Sequence, residues 1–108
     1  MAKQSYKFKD GMVLISDEVI TKIARSALIS VEGVHLYKTD TKKGMGRIIK
    51  LEHLENKIEL TVTILIKNGY KILDTAKNVQ EKIKVEIETM TGISVLMVNV
   101  NVAGIVTN

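Results

Sequence analysis

The sequence predicts an α+β fold: a two-layer sandwich with two helices packed on one face of a mostly antiparallel sheet. Three observations lead there. Two stretches repeat their apolar residues at steps of three and four, the period of a helix that is greasy on one side. A third, Lys57–Lys67, alternates apolar and polar residues with the period of two that a strand requires. The chain order is strand, helix, two or three strands, helix, strand (β-α-β(β)β-α-β). Two amphipathic helices each need an apolar surface, and a sheet with one apolar face supplies it.

Residues 1–10 are polar except for Met1, Ala2, Tyr6 and Phe8, and read as a flexible N-terminal arm or a loosely held edge strand. Met12 to Ile15 is a short apolar run suited to a buried strand. Ser16 follows as the expected N-cap, with Asp17 and Glu18 in the first turn, where the helix dipole favours anions. Val19, Ile20, Ile23, Ala24, Ala27, Leu28 and Val31 then form one stripe on a helix of about four turns. Gly33 is the expected C′ residue ending it.

Val34 to Lys38 reads as a strand, and Thr39–Arg47 as a flexible basic loop with two glycines. Ile48–Leu54 and Lys57–Lys67 flank Glu55-Asn56 as a hairpin. Ile58, Leu60, Val62, Ile64 and Ile66 mark one face of its second strand. Asn68-Gly69 is a turn signal leading into the second helix. There Ile72, Ala76, Val79, Ile83, Ile87 and Met90 form the buried stripe, flanked by Leu73 and Gln80. Lys82–Glu86 and Lys84–Glu88 stand four apart on the opposite side, and Gly92 ends the helix. The last strand sets Leu96, Val98, Val100 and Val102 on one face, and Val95, Met97, Asn99 and Asn101 on the other. Residues 11–108 read as a single domain.

The 108 residues are 45% hydrophobic and 26% charged, a globular composition able to bury a core without disulfides or a metal. The absence of cysteine removes disulfides, thiolate nucleophiles and Cys-based zinc sites, and agrees with a reducing compartment. With only Tyr6, Phe8, Tyr37 and Tyr70 as aromatics, the core must be aliphatic, and stacking platforms for bases or sugars are few. The N-terminus lacks the apolar stretch of a secretory signal, and no apolar run reaches the ~20 residues of a membrane-spanning helix. These features lead us to expect a cytoplasmic protein with no transmembrane segment of its own.

Charge is uneven. Residues 1–50 hold ten Lys/Arg against five Asp/Glu, whereas residues 51–108 hold six against seven. Lys38, Lys42, Lys43, Arg47 and Lys50 form a basic set in which the glycines would let backbone amides approach a phosphate. A phosphate cradle usually opens onto a helix N-terminus, however, and this loop leads into a strand. Nucleic-acid binding through these residues is therefore the less favoured reading. His35 and His53 sit 18 apart in different strands, and Glu52 and Glu55 would mostly point elsewhere. We expect no metal site, cofactor or catalytic residue, because no nucleophile with its base is in evidence and no Walker loop, G-x-S-x-G or H-E-x-x-H motif occurs. The residues expected to make contacts are Thr61, Thr63, Leu65, Val95, Met97, Asn99 and Asn101, on the sheet face away from the helices. Thr and Asn hydrogen-bond across strands, while Leu65, Val95 and Met97 add apolar area.

Three segments in order resemble the bacterial alkaline shock protein family, also called the general-stress Gls family. They are the opening from Gly11 through Ser16 and Asp17–Ala24 to Val34, the second helix from Ala76 through Gln80 and Ile83 to Gly92, and the closing strand Val98–Ile105. Together they cover residues 11–106. The resemblance implies a single domain of that type and a non-enzymatic protein of cell-envelope stress response or homeostasis. Such a protein would act by self-association as a homo-oligomer, or as a scaffold with a membrane-anchored protein partner that brings it to the membrane surface. A regulatory link to fatty-acid metabolism is an alternative the same resemblance carries. The family has no catalytic residues to transfer.

Overall fold

The computed structural model describes residues 3–36 and 48–107, with side chains from Ser5 onward in the first segment. Its elements are β1 (Lys3–Phe8), β2 (Gly11–Ser16), α1 (Asp17–Ser30), β3 (Val34–Leu36), β4 (Ile49–Leu54), β5 (Lys57–Lys67), α2 (Ile72–Thr91) and β6 (Ser94–Val106). The α+β sandwich that the periodicities imply is the one that forms.

β5 is the axis of the sheet. β6 runs parallel to it along its whole length, from Lys57 opposite Ser94 to Lys67 opposite Val106. A strand has two edges, so β3 and β4 must divide the other one. Both are antiparallel to β5, with β4 alongside residues 57–62 and β3 alongside 64–66. Ile58, Leu60, Val62, Ile64 and Ile66 of β5 are all fully buried, as alternation requires.

The two helices contact each other, α2 also contacts β6, and α1 contacts β3 and β4. They bring Ile20, Leu28, Val79, Ile83 and Ile87 onto the β5 residues as a wholly aliphatic core. Each such side chain contributes about 1.5–3 kcal/mol relative to exposure. The caps follow the sequence signals. Ser16 Oγ accepts the Val19 N–H at 3.4 Å, and Gly92 closes α2 at φ 77 with its N–H on the Glu88 carbonyl. Lys82 and Glu86 pair at 3.2 Å. Glu88 turns instead towards β6, accepting the Val95 N–H at 2.9 Å.

Four local expectations are resolved or corrected. First, of the two readings of the N-terminal segment the strand is the one that forms: residues 3–8 pair antiparallel with β2 through the Lys9-Asp10 turn. Second, β2 is not buried: Met12, Val13 and Leu14 are about half exposed, because the β1–β2 ribbon is a separate two-stranded sheet. Among its described hydrophobic residues, Tyr6 and Ile15 pack against the core. Third, α1 ends at Ser30 with Val31 as its C-cap, so Gly33 is not its C′ residue. Gly33 (φ 88) instead turns the chain into β3 beneath the Tyr70 ring; a Cβ there would lie 2.7 Å from two ring carbons. Fourth, the ends of the α2 stripe are exposed: Ile72 by 40% and Met90 by 66%. The buried part of its stripe is Val79, Ile83 and Ile87, at the middle of the helix.

Candidate functional site: the open face of the sheet

The faces of the sheet are chemically unlike. The helices cover the inner one. Strand register defines the outer one row by row: Glu52, Glu59 and Met97; then Lys50, Thr61 and Asn99; then Thr63 and Asn101; then His35, Leu65 and Gly104. No element among the described residues packs over these rows. The face therefore combines carboxylates, amides, hydroxyls and a few apolar patches at the fixed spacing of a sheet, about 4.8 Å between strands.

Asn99 organises the centre. Its Nδ2 donates to Glu59 Oε2 at 3.0 Å and lies 3.4 Å from Thr61 Oγ1. Cross-strand links of this kind hold side chains in place for an approaching surface. Thr61, Thr63, Leu65 and Asn99 are half-buried by their neighbours, while Met97 and Asn101 are exposed.

Six of the seven expected contact residues thus lie together on this face. Val95 does not. It is 3% exposed and belongs to the core. The cause is a bulge: Ile58 pairs with Val95 but Glu59 pairs with Met97, so Leu96 is an extra residue that shifts the alternation by one. Val95 consequently shares the helix side with Val98, Val100 and Val102, and Leu96 is 46% exposed. A second bulge places Ala103 between the partners of Ile64 and Leu65. Of the basic set, Lys50 is exposed beside Thr61; Lys38, Lys42, Lys43 and Arg47 lie outside the described residues.

The expected contact set left out Glu52, Glu59 and His35, although the alternation of β5 already sets Glu59 on the side of Thr61 and Thr63. The signal was available for the first two, since each stands an even number of residues from Lys50 or Thr61 on its own strand. For His35 it was not, because nothing local specifies where β3 docks on β5.

The histidines serve separate places. His53 faces the helix side of β4 and its Nε2 lies 2.7 Å from Asp17 Oδ1, fastening the start of α1 to the sheet. His35 lines an open depression of about 480 Å³ with Lys67, Asn68, Tyr70 and Val106. Another depression, about 310 Å³, follows the groove between the helices along Ile23, Ala27 and Met90. Among the described residues, no three His, Asp or Glu side chains gather as metal ligands would. No helix among them is long and apolar enough to cross a membrane.

Residues 5–107 match the model of the alkaline shock protein 23 family, described as having a cell envelope-related function. The chain is 31% identical to the uncharacterized protein YloU of Bacillus subtilis (strain 168), over 93% of each chain. It is 26% identical to the uncharacterized protein Spy1614 of Streptococcus pyogenes serotype M6, over 90% of this chain and 89% of that one. Identity to the uncharacterized protein YqhY of Bacillus subtilis (strain 168) is 29%, over 88% of this chain and 77% of that one. No solved structure matches.

Proposed function

The chain belongs to the alkaline shock protein family, whose described role is cell envelope-related, and from that premise we propose that it acts without catalysis, as a self-associating scaffold. In this reading it is a cytoplasmic protein of envelope stress response or homeostasis, held at the membrane by a membrane-anchored protein partner. The observation that supports the reading is the uncovered sheet face, where Thr61, Thr63, Leu65, Met97, Asn99 and Asn101 lie on two adjacent strands.

The physical logic is economy of apolar residues. The aliphatic side chains of β5 and the helices are consumed in the core, and what remains at the outer face is the hydroxyls and amides of Thr61, Thr63, Asn99 and Asn101 among the charged Lys50, Glu52 and Glu59. Hydroxyl and amide groups can bond across to a second copy without the desolvation cost of a bare charge. Leu65 and Met97 supply apolar contact between them.

Light scattering across a concentration series tests the proposal. The expected result is mass above that of the 12.0 kDa chain at high concentration. Thr61→Lys combined with Thr63→Lys should lower it by setting like charges against each other. A strictly monomeric protein at millimolar concentration, with no partner retained from native cells, overturns the proposal.

A further inference from the structure

β6 leaves one edge open. Among the described residues it pairs with β5 alone, and its thirteen residues, Ser94–Val106, contain no Lys, Arg, Asp, Glu or Pro. Natural sheets protect long edges with such residues, because unpaired amides and carbonyls invite another strand. Here protection covers half the edge. Gln80 Nε2 donates to the Val98 carbonyl at 3.0 Å, and Glu88 Oε2 accepts the Val95 N–H at 2.9 Å, both from α2.

The direction of hydrogen bonding alternates along a parallel ladder, so residues two apart point the same way. The hairpin at Glu55-Asn56 closes with Leu54 opposite Lys57, which turns Lys57, Glu59 and Thr61 towards β4 and Leu60 and Val62 towards β6. Met97, Asn99 and Asn101 then bond to β5, and Val98, Val100 and Val102 present their amides and carbonyls to the open edge. The carbonyl of Val98 received by Gln80 is in that outward set. Val100 and Val102 are the outward residues beyond the reach of the two caps, in a stretch bounded by the Ala103 bulge.

We propose that this uncapped stretch of β6 pairs antiparallel with the same stretch of a second copy, about a two-fold axis at Asn101. Such pairing rests on the self-association reading and gives it a geometry. Val100 of each copy would exchange N–H and C=O with Val102 of the other, in a ladder of about four hydrogen bonds, and the exposed Asn101 amides would meet at the axis. A second copy is the fitting occupant because the strand is uncharged and antiparallel pairing of identical edges closes by symmetry, leaving no free repeat. Two four-stranded sheets become one, and the open faces become continuous.

The absence of cysteine makes a clean test. Opposed residues in a non-hydrogen-bonded antiparallel pair have Cα atoms about 4.5 Å apart, within disulfide range. Asn101→Cys in the full chain should therefore form a disulfide-linked dimer on mild oxidation, whereas Ser26→Cys on α1 should not. Val102→Pro removes an outward N–H at an edge that tolerates proline, and should raise the dimer dissociation constant at least about tenfold with the circular dichroism unchanged. Self-association with no Asn101→Cys crosslink, lost in Thr63→Lys, overturns the edge while leaving the proposed function standing. A wild-type chain that stays monomeric overturns both.

Discussion

The imidazole of His53 and the carboxylate of Asp17, 36 positions apart in the chain, meet at 2.7 Å with about a quarter of each side chain exposed. One sits on the inner side of β4, the other in the first turn of α1. Asp17 thus answers both the helix dipole and a ring on the sheet. Asp17→Ala should destabilise the fold by about 1–2 kcal/mol, read as a lowered urea midpoint with an unchanged slope. Glu18→Ala, whose partner Lys22 is solvent-exposed, should cost under about 0.5 kcal/mol.

Gly33 and Tyr70 form a second long-range joint. An added methyl would both strain a φ of 88 and meet the ring at 2.7 Å. Gly33→Ala should cost about 1–3 kcal/mol. Adding Tyr70→Ala should recover part of that loss, since it removes the two ring contacts at 2.7 Å but neither the Tyr70 Cβ at 3.1 Å nor the backbone strain. A double-mutant cycle by denaturation measures the recovered share; strict additivity would mean the ring is not the obstacle.

On the outer face, Asn99 is a donor to Glu59. Asn99→Ala leaves a partly solvated carboxylate and should cost about 0.5–1 kcal/mol. Asn99→Asp places a second carboxylate beside the first and should be the more damaging at neutral pH, by a further ~1 kcal/mol, with salt reducing the difference. Thermal unfolding at two ionic strengths separates these contributions.

The β1–β2 ribbon should be the least stable part of the described structure. Two strands alone are marginal in water, and among the described hydrophobic residues of this pair Tyr6 and Ile15 are the ones packed against the core. Native-state hydrogen exchange should show amides of β1 and β2 exchanging orders of magnitude faster than those of β5. Equal protection would show that the ribbon unfolds only with the whole domain.

Core truncation gives the opposite extreme. Ile83 is fully buried between the layers. Ile83→Ala should cost about 3–4 kcal/mol, whereas Leu73→Ala, at 82% exposure on the same helix, should fall within about 0.5 kcal/mol. Chemical denaturation compares the two directly.

Elements whose cause is local were legible in the residues. The alternation of β5 and the stripes of α1 and α2 specify type and buried face, and Ser16 and Gly92 mark two ends, because each depends on neighbours within a few positions. The identity of the outer face followed for six of its expected members by the same rule of two. Val95 broke it, since a bulge at Leu96 inserts a residue without any local signature of its own in the apolar run Val95–Val98.

Tertiary structure alone decided the rest. That β6 lies parallel to β5 while β3 and β4 share its other edge depends on which surfaces the helices leave uncovered. So does the exposure of Met12, Val13 and Leu14, an apolar run that any local reading buries. Sequence by itself determined periodicity, caps and the aliphatic character of the core, because those are short-range preferences of backbone and side chain. Register, strand neighbours and the open edge of β6 are set by competition for one limited apolar surface, which exists only once the whole chain has collapsed onto it.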